Sequence, residues 1–164
     1  MDYLNELIRV LNEEKKLYTK LTDLAHDKQQ VIIANDVEKL ADYLREEQDL
    51  IDKIEGIEKK RRQVVIGLCS ELDIPDKELS FSKLRDFLDE GSRIKLDQLR
   101  TSLLKILEEL HQTNETNRVL IEEALKINDF TIRILTQAVS PSSSTYTRAG
   151  VEENKSQHLI DKRV

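Results

Sequence analysis

The chain has 164 residues, 35% of them charged and 4% aromatic, with four glycines, two prolines and no tryptophan. That length allows one domain or one extended bundle of helices with a tail, and the scarcity of turn residues favours long helices over a compact enzyme. A formal charge of −6 argues against general binding to nucleic acid or to an anionic membrane surface, both of which require a basic face.

Asp2, Glu6 and Arg9 stand in the first turns, so the start lacks the basic, apolar and small-residue succession of a secretory signal. Leu4, Leu11, Tyr18, Ala25 and Ile32 then form one heptad column, with Val10, Leu17, Leu24 and Val31 beside it, which predicts a single amphipathic helix. Asn35 followed three residues later by Glu38 reads as a capping box, so the chain is expected to kink or restart there rather than reverse. A second helix is predicted through about Leu72, with Val37, Leu40, Leu44, Ile51, Ile54, Val65 and Leu68 on one side. Within it Cys69, the only cysteine, reads as a small core residue. A lone cysteine builds neither an intramolecular disulfide nor a cysteine-based zinc site, which fits a reducing cytosol. The apolar run from Val64 to Cys69 is too short to span a bilayer. Asp73, Ile74, Pro75 and Asp76 end the helix and mark the main reversal.

A short helix is expected from Ser80 to Glu90 around Phe81, Leu84, Phe87 and Leu88, closed by Gly91 and Ser92 as stop and new cap. The last long helix is predicted from about Arg93 to Val139, with Leu96, Leu99, Leu103, Ile106, Leu110, Leu120, Ile127 and Ile134 inward. After Val139 the run Ser140, Pro141, Ser142, Ser143, Ser144, Thr145 cannot bury enough apolar surface to order itself. The expected fold is therefore all-α: an elongated antiparallel bundle of long helices, a segmented helical hairpin plus a long C-terminal helix. Residues 1–139 form the bundle and residues 140–164 a flexible tail, in which Tyr146, Leu159 and Ile160 are either spare or short docking elements.

The sharpest catalytic candidate is Glu108-x-x-His111, since helical bundles hold metal pairs with Glu-x-x-His motifs and carboxylates from other helices. Asp23-x-x-His26 has the same spacing, and Glu14 and Glu47 point inward, but these acids do not recur in a motif. Two surface histidines in an acid-rich chain explain the pattern more simply. No glycine-rich phosphate loop exists, and the run Lys59, Lys60, Arg61, Arg62 reads first as a solvated turn. No enzyme, metal or cofactor is expected.

Two features rise above a generic bundle. Thr113, Asn114 and Asn117 interrupt the inner columns of the last helix, a polar layer that can fix register between helices. Beyond it Leu120, Ile121, Ala124, Leu125, Ile127, Phe130, Ile134, Leu135 and Ala138 spread over roughly 200° of the helix, where a helix serving its own bundle needs little over ~100°. A third helix of the chain, a second copy in a homodimer, or a partner's helix would cover the excess.

The sequence resembles the FlgN family of flagellar export chaperones over nearly its whole length. Leu17 to Val31 matches the family's leading helix, and Asp36, Leu40, Leu44, Glu47, Ile51, Glu58 and Arg61 its aspartate-opened second helix. Asn114-Glu-Thr-Asn117-Arg118-x-Leu120-Ile121 is similar to the paired-asparagine signature of its last helix. Tyr146 and Gly150 match its Ser-rich tail, although Thr147, Arg148 and Ala149 depart from the commoner pattern. The resemblance implies a cytoplasmic chaperone serving flagellar type III secretion. Its cargo would be the C-terminal helical regions of the hook-filament junction proteins FlgK and FlgL, held on Leu120, Ile121, Ala124, Leu125, Ile127, Phe130, Ile134 and Leu135. Tyr146 would dock the export gate. The alternatives are a self-associating coiled-coil adaptor, or a chaperone for another flagellar secretion substrate.

Overall fold

The apolar columns of the first segment become the inner side of helix α1, Asp2–Ile33, in a computed structural model that describes residues 2–75 and 79–139. Three more helices follow, α2 Val37–Leu72, α3 Phe81–Asp86 and α4 Glu90–Val139, and no strand occurs among the described residues. Leu4, Val10, Leu24, Ala25, Val31 and Ile32 are buried as the columns require.

The expected kink at Asn35 is instead a full reversal. Asn35 adopts the left-handed conformation at φ 54°, which asparagine tolerates because its short amide can bond locally. The Asp36 N–H reaches Val31 O at 3.2 Å and the Asn35 N–H reaches Ile32 O at 3.0 Å, the two bonds of a Schellman turn. Asp36, not Asn35, then caps α2, its side chain accepting the Lys39 N–H at 3.0 Å. A tight turn therefore forms without glycine or proline, and α1 and α2 pack as an antiparallel pair.

Bonds along that pair set its register: Tyr18 Oη donates to Glu58 at 2.8 Å, and Lys28 Nζ donates to Glu47 at 2.6 Å in a mostly buried bridge. One turn before Tyr18 on α1 lies Glu14, 4% exposed, with Arg61 Nε 2.8 Å from its Oε1 as an ion pair without a hydrogen bond. Burial raises the Glu14 carboxyl despite the nearby Arg61. Burial, with the bond to Glu58, pushes the Tyr18 hydroxyl up to about 12. Nearer the termini of the pair the ring of Tyr3 lies over Gly67, where any Cβ would collide with it.

The buried stripe of α2 is Leu50, Ile54, Val64 and Leu68, joined by Cys69. Val37, Leu44 and Ile51, expected inside, are exposed; they lie roughly 100° or more around the helix from Leu50 and Leu68, off the face that meets α1. Asp73, left-handed at φ 55°, ends the helix, and the Ile74 N–H bonds to Cys69 O at 3.0 Å.

Ser80 caps α3 by accepting the Lys83 N–H at 3.2 Å, but the helix stops at Asp86, short of the expected Glu90. Gly91 and Ser92 are not a stop and cap. Asp89 is the capping residue: its Oδ1 accepts the Ser92 N–H at 2.9 Å and its Oδ2 the Ser92 hydroxyl at 2.8 Å. These bonds, the backbone one first, hold the Asp89 carboxyl below its usual value, and α4 starts at Glu90 with Gly91 in its first turn.

Two apolar clusters hold α4 to the hairpin. Leu96, 1% exposed, joins Leu4, Leu7, Val10, Val64 and Leu68, with Leu84 and Leu88 from the α3 segment. Leu110 joins Leu21, Leu24, Ala25, Leu50 and Ile54. This order makes α4 parallel to α1 and antiparallel to α2. Each fully buried leucine contributes about 1.5–3 kcal/mol, so Leu96 and Leu110 are the principal apolar anchors of α4. Leu99, Leu103 and Ile106, between them, are half-buried. The chain divides into two units after Asn128, and α4 contributes residues to both.

Candidate functional site

The inner column of α4 turns polar after Leu110. Thr113 is buried and satisfies its hydroxyl on Glu109 O at 2.9 Å. Asn117, 3% exposed, donates from Nδ2 to Ala25 O at 2.8 Å, while its Oδ1 is buried without a hydrogen-bond partner. Asn114, expected in the same layer, faces solvent. A backbone carbonyl in mid-helix already receives its helical bond, so the link from Asn117 adds register more than satisfaction: it ties one point of α4 to one point of α1. Beside it opens a cleft of about 330 Å³ lined by Lys28, Glu47, Asn114, Asn117, Arg118 and Ile121.

Past Asn117 the apolar residues of the first unit come increasingly into solvent. Leu120 and Ala124 are half-buried, Ile121 is 38% exposed, and Leu125 and Ile127 are 60% and 64% exposed. The cause is the length of α1. Ile33, its last residue, lies as far beyond Ala25 as Leu125 lies beyond Asn117, so with parallel helices of equal rise the hairpin gives out about level with Leu125. Ile33 and Val37 at the hairpin turn are themselves 63% and 69% exposed. One end of the first unit thus gathers exposed apolar side chains from α1, α2 and α4. Those on α1 and α2 are not separable from core positions in the sequence pattern, because exposure there depends on where the hairpin turns.

In the second unit, taken alone, Phe130, Ile134 and Leu135 lie on exposed helix, as does Ile132. Thr136 Oγ1 bonds back to Ile132 O at 2.9 Å. Tyr146 and the proposed tail lie outside the described residues.

The candidate metal half-sites do not converge. His111 is exposed, and Glu108 accepts a bond from its helical neighbour Gln112 at 2.7 Å. His26 lies 3.2 Å from Glu109, not Glu108, in an exposed pair. Of the two inward acids, Glu14 faces Arg61 and Glu47 faces Lys28. Among the described residues no three His, Cys, Asp or Glu side chains group as metal ligands, and no helix is long and apolar enough to cross a membrane.

Among the described residues the chain is an all-helical protein of three long helices and one short one, with apolar side chains exposed on the last. The FlgN protein family matches residues 1–154, and the chain belongs to that family, one of flagellar export chaperones. No curated protein and no solved structure matches it.

Proposed function

We propose that the chain is a cytoplasmic chaperone that covers the C-terminal helical regions of the hook-filament junction proteins FlgK and FlgL. By covering them it prevents their premature assembly or degradation and delivers them to the flagellar export apparatus. The observation that carries this reading is the set of apolar side chains on α4 of the first unit after Asn117, with Leu120 and Ala124 half-buried and Ile121, Leu125 and Ile127 exposed; the second unit, taken alone, exposes Phe130, Ile134 and Leu135. An amphipathic cargo helix has an apolar face of its own, and each surface removes the other from water. Ordering a flexible cargo segment consumes about 2–5 kcal/mol of the contact energy, so the complex is moderate in affinity and releasable. Residues 1–139 hold the cargo, and residues 140–164, through Tyr146, engage the export gate.

Co-purification of the chain with each junction protein, and separately with flagellin and the filament-cap protein, tests the choice of cargo. The reading requires a defined complex with a junction protein that is weakened by Leu125→Asp or Phe130→Asp and retained by Glu122→Ala, on the charged side. A complex with flagellin or the cap protein alone would refute it.

A further inference from the structure

On the first unit α1 and α2 border an open groove that has two contiguous sections of opposite charge. One, about 780 Å³, is lined by Lys15, Lys16, Lys20 and Lys53 over the side chains of Leu17 and Ile57. The other, about 400 Å³, begins at the same Lys20 and Lys53 and is lined by Asp23, Asp27, Glu46 and Asp49 beside Leu24 and Leu50. Glu13, at the rim of the basic section, is turned to Arg9 at 3.4 Å. None of the four lysines or the four acids makes an ion pair with another described residue, whereas Lys28, Lys60, Arg61 and Arg118 all do.

We infer that this groove binds a second copy of the chain, packed antiparallel. A two-fold axis at the boundary between Lys20 and Asp23 sets the basic section of each copy against the acidic section of the other, so one patch satisfies itself twice, as an isologous interface requires. Opposed charges in contact keep most of their attraction, while the repulsion between two chains of net charge −6 is screened beyond a Debye length of ~8 Å at physiological salt. The patch is short: from Lys15 to Asp27 α1 rises about 18 Å. It therefore falls below the ~800 Å² per partner of a standard interface, and the dimer is a weak, reversible one. This interface is separate from the apolar end of α4, and its success or failure is independent of cargo binding.

Sedimentation equilibrium on the full chain tests it. The expected result is a dimer at ~50 mM salt whose dissociation constant rises at least tenfold by ~1 M. Lys20→Glu with Lys53→Glu, and separately Asp23→Lys with Asp49→Lys, are each expected to be monomeric. Mixed in equal amounts, the two variants re-form a one-to-one dimer. All four positions are exposed, and circular dichroism verifies that each variant keeps its helicity. A wild-type chain that stays monomeric at low salt overturns the inference. So does a dimer indifferent to salt or to charge reversal, or a mixture of variants that does not associate.

Discussion

Replacing Leu125 with aspartate separates a binding surface from a core. The side chain is 60% exposed, so docking of a cargo helix buries roughly that share of a leucine, worth about 1–2 kcal/mol of the 1.5–3 kcal/mol for complete burial. The aspartate loses this and adds the desolvation of a charge, at least another ~1 kcal/mol. Cargo affinity should fall by about 2–3 kcal/mol, or roughly 30- to 150-fold. The fold loses only the difference in helix propensity, about 0.5 kcal/mol. Titration calorimetry with a C-terminal peptide of a junction protein reads the first quantity, and thermal unfolding by circular dichroism reads the second. Leu110→Asp, at a position 8% exposed within a core cluster, is the contrast: it should unfold the protein. Unchanged peptide affinity, or collapse of Leu125→Asp to the stability of Leu110→Asp, refutes the assignment of this face to cargo.

Gly56→Ala should stabilise the fold by about 0.5–1 kcal/mol and raise the melting temperature by a few degrees. The added methyl meets nothing within 4 Å in the middle of α2, and a lower melting temperature would contradict that. Glu14→Gln should be more stabilising at about pH 7.5 than at about pH 4 in denaturant titrations. Burial lifts the folded pKa of Glu14 above its usual 4.5, so the native chain binds the extra proton; the stability from the neutral acid is complete below 4.5 and is lost as pH rises through the raised value. An advantage that shrinks with pH refutes the sign. Truncation after Val139 or Tyr146→Ala should leave the cargo complex intact in solution while reducing secretion of the junction proteins, because a tyrosine suits a shallow docking pocket. Normal secretion from both variants, or loss of cargo binding on truncation, removes the tail from the mechanism.

The heptad columns of α1 were legible because the helix is amphipathic along its full length and local periodicity alone selects its inner face. The end of α2 was legible for a related reason: Pro75 acts on the residue before it. The turn at Asn35 was not, since a capping aspartate one residue on serves a kink as well as a reversal, and two backbone bonds to Val31 and Ile32 make the difference. Asp89 was obscured in the same way by the stronger stop signal of Gly91.

The sequence by itself determined that the chain is helical, that its last helix has more apolar surface than a single neighbour needs, and that it resembles export chaperones. Each of these depends on which residue types recur at helical spacing. Only the tertiary structure decided which of those residues are covered. Val37 and Leu44 share the period of the core yet lie exposed, and Asn117 is buried on Ala25 while Asn114 faces solvent. Burial depends on where the neighbouring helix stops and which face it turns inward, and the reversal after Ile33, which sets both, is a relation between segments that no period within one segment encodes.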